Sequence, residues 1–240
     1  MAGYAVTAQF YDPMADASHA PVRAQITEAL KGLEAGDHPI IDIGAGTGLT
    51  TRAIACALPE TEILAGEPDP VMRSALMTRI WSNPDLRHRV SMLPMSILDA
   101  PLPHVIAGAV ASASLVHFSP EDRARLWELL AERLLPAGRI VIEIQCPLAT
   151  EVPETLLASE RIGRVHYEGR ARAVPVDAQR QHWHMTYVAR FGDLEIARQS
   201  TDYVCWVVAA EEVLAEAREA GLDGTVTGEL VVLTKSADGL

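Results

Sequence analysis

The spacing of hydrophobic positions changes several times along the chain. Val22, Ile26, Leu30 and Leu33 recur at helical intervals, with Pro21 at a first helical position and Gly36 at a C-terminal cap. This predicts a helix over residues 21–36. Residues 39–43 form a short apolar run that breaks off into glycines, as a buried strand entering a loop does. Residues 50–58 suit a helix stopped by Pro59, and residues 62–67 suit a second strand. Asp69 and Pro70 are an N-cap and N1 pair opening a helix that runs to Trp81. Residues 89–93 and 104–114 supply two more strands. Ser119 opens a helix to Leu135, and a turn at Leu135, Pro136, Ala137 and Gly138 leads into a strand at 139–145. Strands and helices alternating at this spacing imply an α/β fold: a doubly wound, mostly parallel, Rossmann-like sheet of the seven-stranded type.

The rhythm changes after Pro147. Residues 164–174, 182–191 and 195–207 are rich in aromatic and β-branched side chains with polar alternation, and Gly192 and Asp193 suit a hairpin turn. They read as an antiparallel β insert. A helix at 210–220, capped by Gly221, and a strand at 229–235 follow, with only a stub of strand expected at 225–227. The expected organisation is a core with an N-terminal arm over residues 1–146, an insert over 147–208, and a return to the core over 209–240.

Charge and cysteine content narrow the function. The 240 residues carry a formal net charge of −12, and an acidic surface disfavours nucleic acid or an anionic membrane as partner. Cys56, Cys146 and Cys205 are too few and too widely spaced for a disulfide framework or a zinc motif. No apolar run approaches the roughly 18 residues of a membrane span, and the N-terminal stretch lacks a basic leader. A cytoplasmic protein is expected.

The most specific motif is Asp42-Ile43-Gly44-Ala45-Gly46-Thr47-Gly48, placed between a strand and a helix. Glycines there permit positive φ and close approach of a ligand, and the helix N-terminus offers free N–H groups. A dinucleotide fingerprint would need glycine at position 49, which is Leu49, and the Gly-Lys-Ser/Thr of a P-loop is absent. Asp42 would repel phosphate but suits a cationic amine. Glu67, at the end of the next strand, can accept both hydroxyls of a ribose. An aminoacyl group near Asp42 and Gly44, with a ribose on Glu67, describes S-adenosylmethionine (SAM).

On these residues the sequence resembles the class I SAM-dependent methyltransferases over residues 11–145 and the last helix and strand. The resemblance implies cofactor contacts from Asp42, Gly44, Ala45, Gly46 and Gly48, and from Glu67 with Pro68 at the ribose. The adenine position falls on Ser96, with Ile97 beside it. The family turn before the fifth strand matches residues 135–138. The insert resembles that of small-molecule and sugar N-methyltransferases, where added strands roof the acceptor pocket.

Other candidates are open to two readings. His117 follows the fourth strand, where the family places acceptor-side groups; it is a candidate general base or a packed histidine. Tyr11 either covers the sulfonium or anchors the N-terminal arm. Tyr167, Trp183, His184 and Tyr187 divide between pocket wall and sheet core. His182 and His184 share a strand face, but no third ligand has clear spacing, so no metal is expected. The expected activity is methyl transfer to an oxygen, nitrogen or activated carbon of a small metabolite in specialised metabolism. The alternatives are a SAM-binding cyclase or isomerase, and a non-catalytic partner. A homodimer through the insert is compatible with the pattern.

Overall fold

The computed structural model describes residues 4–236. The chain forms two compact units. One contains Val22–Pro147 and resumes at Val208; the other joins the N-terminal segment through Pro21 to Leu148–Val207.

In the first unit, α2 (Ala20–Leu30) leads to β1 (Ile40–Ile43), α3 (Leu49–Ala57), β2 (Ile63–Gly66), α4 (Pro70–Ser82), α5 (Pro84–Arg89) and β3 (Val90–Leu93). Then come β4 (Ile106–Ala111), α6 (Pro120–Arg133) and β5 (Leu134–Glu143). After the second unit the chain returns as α7 (Ala210–Glu219), β10 (Leu222–Thr227) and β11 (Leu230–Lys235). The seven strands lie in the order β10-β11-β5-β4-β1-β2-β3. All neighbours are parallel except β11, which runs antiparallel to both β5 and β10. Every residue of β1, β2 and β4 is buried, because helices cover both faces of the sheet. The chain departs in opposite directions from β1, so the carboxyl ends of β1 and β4 flank the crevice where such sheets bind ligands.

The caps behave as the sequence implies. The Asp69 carboxylate accepts from the N–H groups of Val71 and Met72, and the Ser119 hydroxyl accepts from Asp122 N. Three expectations need correction. The helix expected over 21–36 ends at Leu30, and Gly32 with φ +71° begins the turn out of it. The turn at 135–138 is a bulge within β5: Ile106 pairs with Leu134 and Gly108 with Arg139, so the strand starts before the turn residues. The expected stub at 225–227 is a full strand, β10, pairing from Leu222–Lys235 through Thr227–Leu230.

In the second unit, β6 (Val152–Ile162), β7 (Val165–Pro175), β8 (Arg180–Phe191) and β9 (Leu194–Trp206) form an antiparallel sheet in sequential order. Gly192, at φ +60°, makes the expected β8–β9 hairpin. Helix α1 (Ala8–Ser18) packs on one face. There Phe10 stacks on Tyr187 with ring centroids 4.9 Å apart and meets Tyr167 edge-on at 6.1 Å. The N-terminal arm was expected with the parallel core; its helix instead belongs to the antiparallel unit, because Phe10 and Met14 find their apolar partners there. Strand β6 was not expected either. It is a mostly exposed edge strand with register breaks near Pro153 and Leu157, so it lacks the alternation that marks β7 to β9.

Candidate cofactor site

The site is built at the carboxyl ends of β1, β2 and β4. Strand β1 delivers Asp42, which is 1% exposed, and the chain then turns through Gly44 at φ +68°. The turn is closed by Ala45 N donating to Gly66 O at 2.9 Å and Gly48 N to Ala45 O at 2.8 Å. Two glycines have separate steric reasons. A Cβ on Gly44 would lie 2.6 Å from the Ser114 Cβ, so the loop after β4 closes against it. A Cβ on Gly48 would lie 2.7 Å from Leu76 Cδ1 and 3.1 Å from Arg79 Cδ. Gly48 therefore serves the seating of α3 against α4 as well as its left-handed N-cap at φ +88°. Arg79, which sequence reasoning missed, pins the same loop by donating to Thr47 O at 2.7 Å.

Two carboxylates face this loop. Asp42 accepts from Thr51 Oγ1 at 2.5 Å. Burial pushes its pKa from 3.8 up to about 7; Thr51 opposes the shift and the charge of Glu67 adds to it. Glu67, 6% exposed, accepts from Gly46 N at 2.8 Å and from Asp69 N at 2.7 Å. Desolvation raises its pKa too, and those two N–H groups oppose the rise. Arg73 nearby spends its donors on the Glu67 and Pro68 carbonyls, at 3.0 and 2.6 Å. The result is a pair of buried acids sharing a negative site.

The adenine-side residues are also here. Ile97 is buried, with its Cδ1 3.3 Å from where a Cβ on Gly66 would sit. Ser96 uses its hydroxyl to cap the short turn Ile97–Asp99, accepting from Leu98 N at 3.3 Å. After β4, the turn Leu115–His117 carries the candidate base. His117 is exposed as a residue, yet the groups packed beside it lower its pKa by desolvation. That shift favours a neutral imidazole at pH 7.

Residues 41–142 match the family model described as a methyltransferase domain. Over that stretch the chain is similar to a methyltransferase domain. SAM is the cofactor of that family, and the polar groups of this site suit it. Two buried acids with raised pKa values suit a ligand bearing positive charge, since a cation restores their ionised forms. Each Glu67 oxygen retains acceptor capacity beyond its backbone bond, which a ribose diol can use.

The chain also resembles solved structures along almost its whole length. Streptomyces venezuelae DesVI aligns at 16% identity and TM-score 0.77, covering 96% of this chain and 97% of that one. SAM-bound CalS10, an amino pentose methyltransferase from Micromonospora echinaspora, aligns at 19% and 0.67, covering 93% and 92%. The sugar N-methyltransferase KedS8 from a Streptoalloteichus species aligns at 15% and 0.67, covering 89% and 86%. At these identities the likeness establishes the fold. No curated protein matches the sequence.

The remaining candidates lie in the antiparallel unit. Tyr11 sits half-buried on α1. Tyr167, Trp183 and Tyr187 gather around Phe10 on one sheet face, and the buried Tyr187 hydroxyl donates to Thr7 Oγ1 at 3.3 Å. His184 is on the opposite face, because strand side chains alternate. Its Nδ1 lies 2.9 Å from Asp202 Oδ1, and His182 Nε2 lies 3.2 Å from the same oxygen. Among the described residues no group of three or more His, Cys, Asp or Glu is arranged to hold a metal.

Proposed function

We propose that this methyltransferase moves the methyl group of SAM onto a nitrogen, oxygen or activated carbon of a small metabolite. The observation that carries the reading is the buried Asp42 and Glu67 pair beside the Gly44 loop. When bound, SAM supplies an electrophilic methyl on a sulfonium with a neutral thioether as leaving group. The chain's own residues then bind and orient. Asp42 takes the aminoacyl ammonium, Glu67 and Pro68 hold the ribose, and Ser96 and Ile97 border the adenine. Holding the acceptor in line with the methyl is the main catalytic demand. His117, favoured in its neutral form, accepts the acceptor's proton where one must leave.

The names of CalS10 and KedS8 support an amine on a sugar as the first acceptor to try. We assign acceptor recognition to Tyr167, Trp183 and Tyr187. The net charge of −12 supports a small metabolite over nucleic acid. Free Cys56, exposed and unpaired, supports a reducing cytoplasm; among the described residues no helix is long and apolar enough to cross a membrane. A homodimer is supported by exposed Leu156, Val174 and Val204 on one face of the four-stranded sheet, and light scattering checks it.

Calorimetry with SAM tests the foundation. Glu67→Ala should weaken binding by about tenfold or more, as loss of hydrogen bonds to a charged group does. Undiminished affinity would remove the ribose assignment. Incubation with SAM and a panel of amino sugars should yield one S-adenosylhomocysteine per methylated product; turnover of an acceptor without it would replace methylation by another reaction.

A further inference from the structure

Resting on the SAM reading above, we propose that the Ser114 hydroxyl is a direct ligand for the aminoacyl end of the cofactor. We further propose that Glu143 is the positioning residue that holds it there. Ser114 is 5% exposed, and its Oγ is a buried side-chain oxygen with no hydrogen-bond partner. Buried polar atoms are nearly always paired, so an orphan marks a place where a partner arrives from outside the chain. The residue is the N-cap of the turn Leu115–His117, where a serine hydroxyl ordinarily satisfies a backbone N–H, yet here it makes no such bond. His117 N is taken by the Ser114 carbonyl instead, at 3.1 Å. The side chain lies against the glycine loop: Ser114 Cβ is 2.6 Å and Oγ 3.4 Å from where a Cβ on Gly44 would be. Gly44 and Ser114 follow β1 and β4, the two strands that flank the ligand crevice.

A clamp fixes this arrangement. Glu143, at the end of β5 and 5% exposed, accepts from Ser112 Oγ at 2.6 Å and from Ala113 N at 2.9 Å with the same oxygen. Between them, Ala113 is held at φ +55°, the one non-glycine residue with positive φ among the described residues. An alanine stays in that region only when its surroundings enforce it, and such positions concentrate at ligand clamps. The carboxylate thus holds a strained residue, and the strained residue turns the next side chain toward Gly44.

The test compares two ligands. S-Adenosylhomocysteine carries the aminoacyl end; methylthioadenosine shares its adenosine and sulfur but lacks that end. Calorimetry on the full chain should show Ser114→Ala weakening S-adenosylhomocysteine by about tenfold, the usual scale for a hydrogen bond to a charged group. Methylthioadenosine should change by less than about twofold. Glu143→Gln should show the same selective loss. The ligand-free Ser114→Ala protein should melt no lower than wild type, because an unsatisfied buried hydroxyl has been removed. Equal losses for both ligands, no loss for S-adenosylhomocysteine, or a lower ligand-free melting point would overturn the proposal. Failure of the wild-type chain to bind either ligand would overturn the SAM reading itself, and this inference with it.

Discussion

The two units use charge in opposite ways. In the antiparallel unit, strands of 11 to 13 residues expose their charges and pair them across the sheet or along it: Arg198 with Glu195, Arg190 with Glu195, Arg180 with Asp177. In the parallel unit, β1 to β3 are only four residues long, and charges are buried both between helices and where strands end. One buried set is structural: Arg123, 1% exposed, is held by Glu212 and Glu216, with Trp127 Nε1 also bound to Glu216. The other is Asp42 with Glu67, where burial raises the Asp42 pKa and the charge of Glu67 adds to the rise. Burying like charges together lowers stability, which supports the proposed ligand role of the pair over a purely structural one.

The largest test of that contrast is a pair of glycine substitutions. Gly44→Ala puts a methyl group 2.6 Å from Ser114 Cβ at a φ of +68°, and should weaken SAM binding by about a hundredfold or more in calorimetry, since a misplaced cradle forfeits several contacts at once. Gly163→Ala, at φ +61° on the β6–β7 turn with nothing within 4 Å, should cost about 1 kcal/mol of backbone strain. It should leave SAM affinity unchanged. Similar losses of affinity from both would erase the distinction between ligand glycine and turn glycine.

Phe10→Ala asks whether the units are separately stable. Removing a buried ring stacked on Tyr187 should cost about 3 kcal/mol. Hydrogen exchange should show faster opening of β7 and β8 with β1 and β2 unchanged; uniform loss of protection would show one cooperative molecule.

Smaller is the pH effect at Asp42. Its pKa is raised, so its contribution to ligand-free stability is fully present below pH 3.8 and lost as pH rises through about 7. In the proposed role at the aminoacyl ammonium, Asp42 acts in its ionised form. Affinity should therefore fall as pH drops below about 7, by up to tenfold per unit, with a proton released on binding. Asp42→Asn should flatten this dependence, and a wild-type affinity independent of pH between 5 and 7 would contradict it. The least effect is expected from Glu195→Gln, which breaks an exposed Arg198 pair and should leave the melting point unchanged within error.

The parts legible in the sequence are those with local causes. Asp69 and Ser119 announce their helices because capping is a matter of neighbouring residues. The run from Asp42 to Gly48 announces a ligand loop because its backbone needs glycine where it turns. Helix α1 was missed since Pro13 lies inside it and its stabilising contact is with Tyr187, far along the chain. Ser114 was missed for the same kind of reason. Nothing near it in sequence marks the hydroxyl; only the approach of Gly44 and the Glu143 clamp give it a role. His184 was grouped with Tyr187 by composition, and the period of a strand separates them.

The stacking of Phe10 on Tyr187 also bears on how the chain is made. Helix α1 emerges from the ribosome early, and the strand it rests on comes after the whole run from β1 to β5. Through most of synthesis its apolar side has no native surface to cover it. The parallel unit is delayed too, since β10 and β11 are the last strands delivered. Neither unit can be finished before the other is nearly complete, so the two assemble as interleaved halves rather than as consecutive domains. A chain stalled after β5 should therefore leave α1 open to proteases and chaperones.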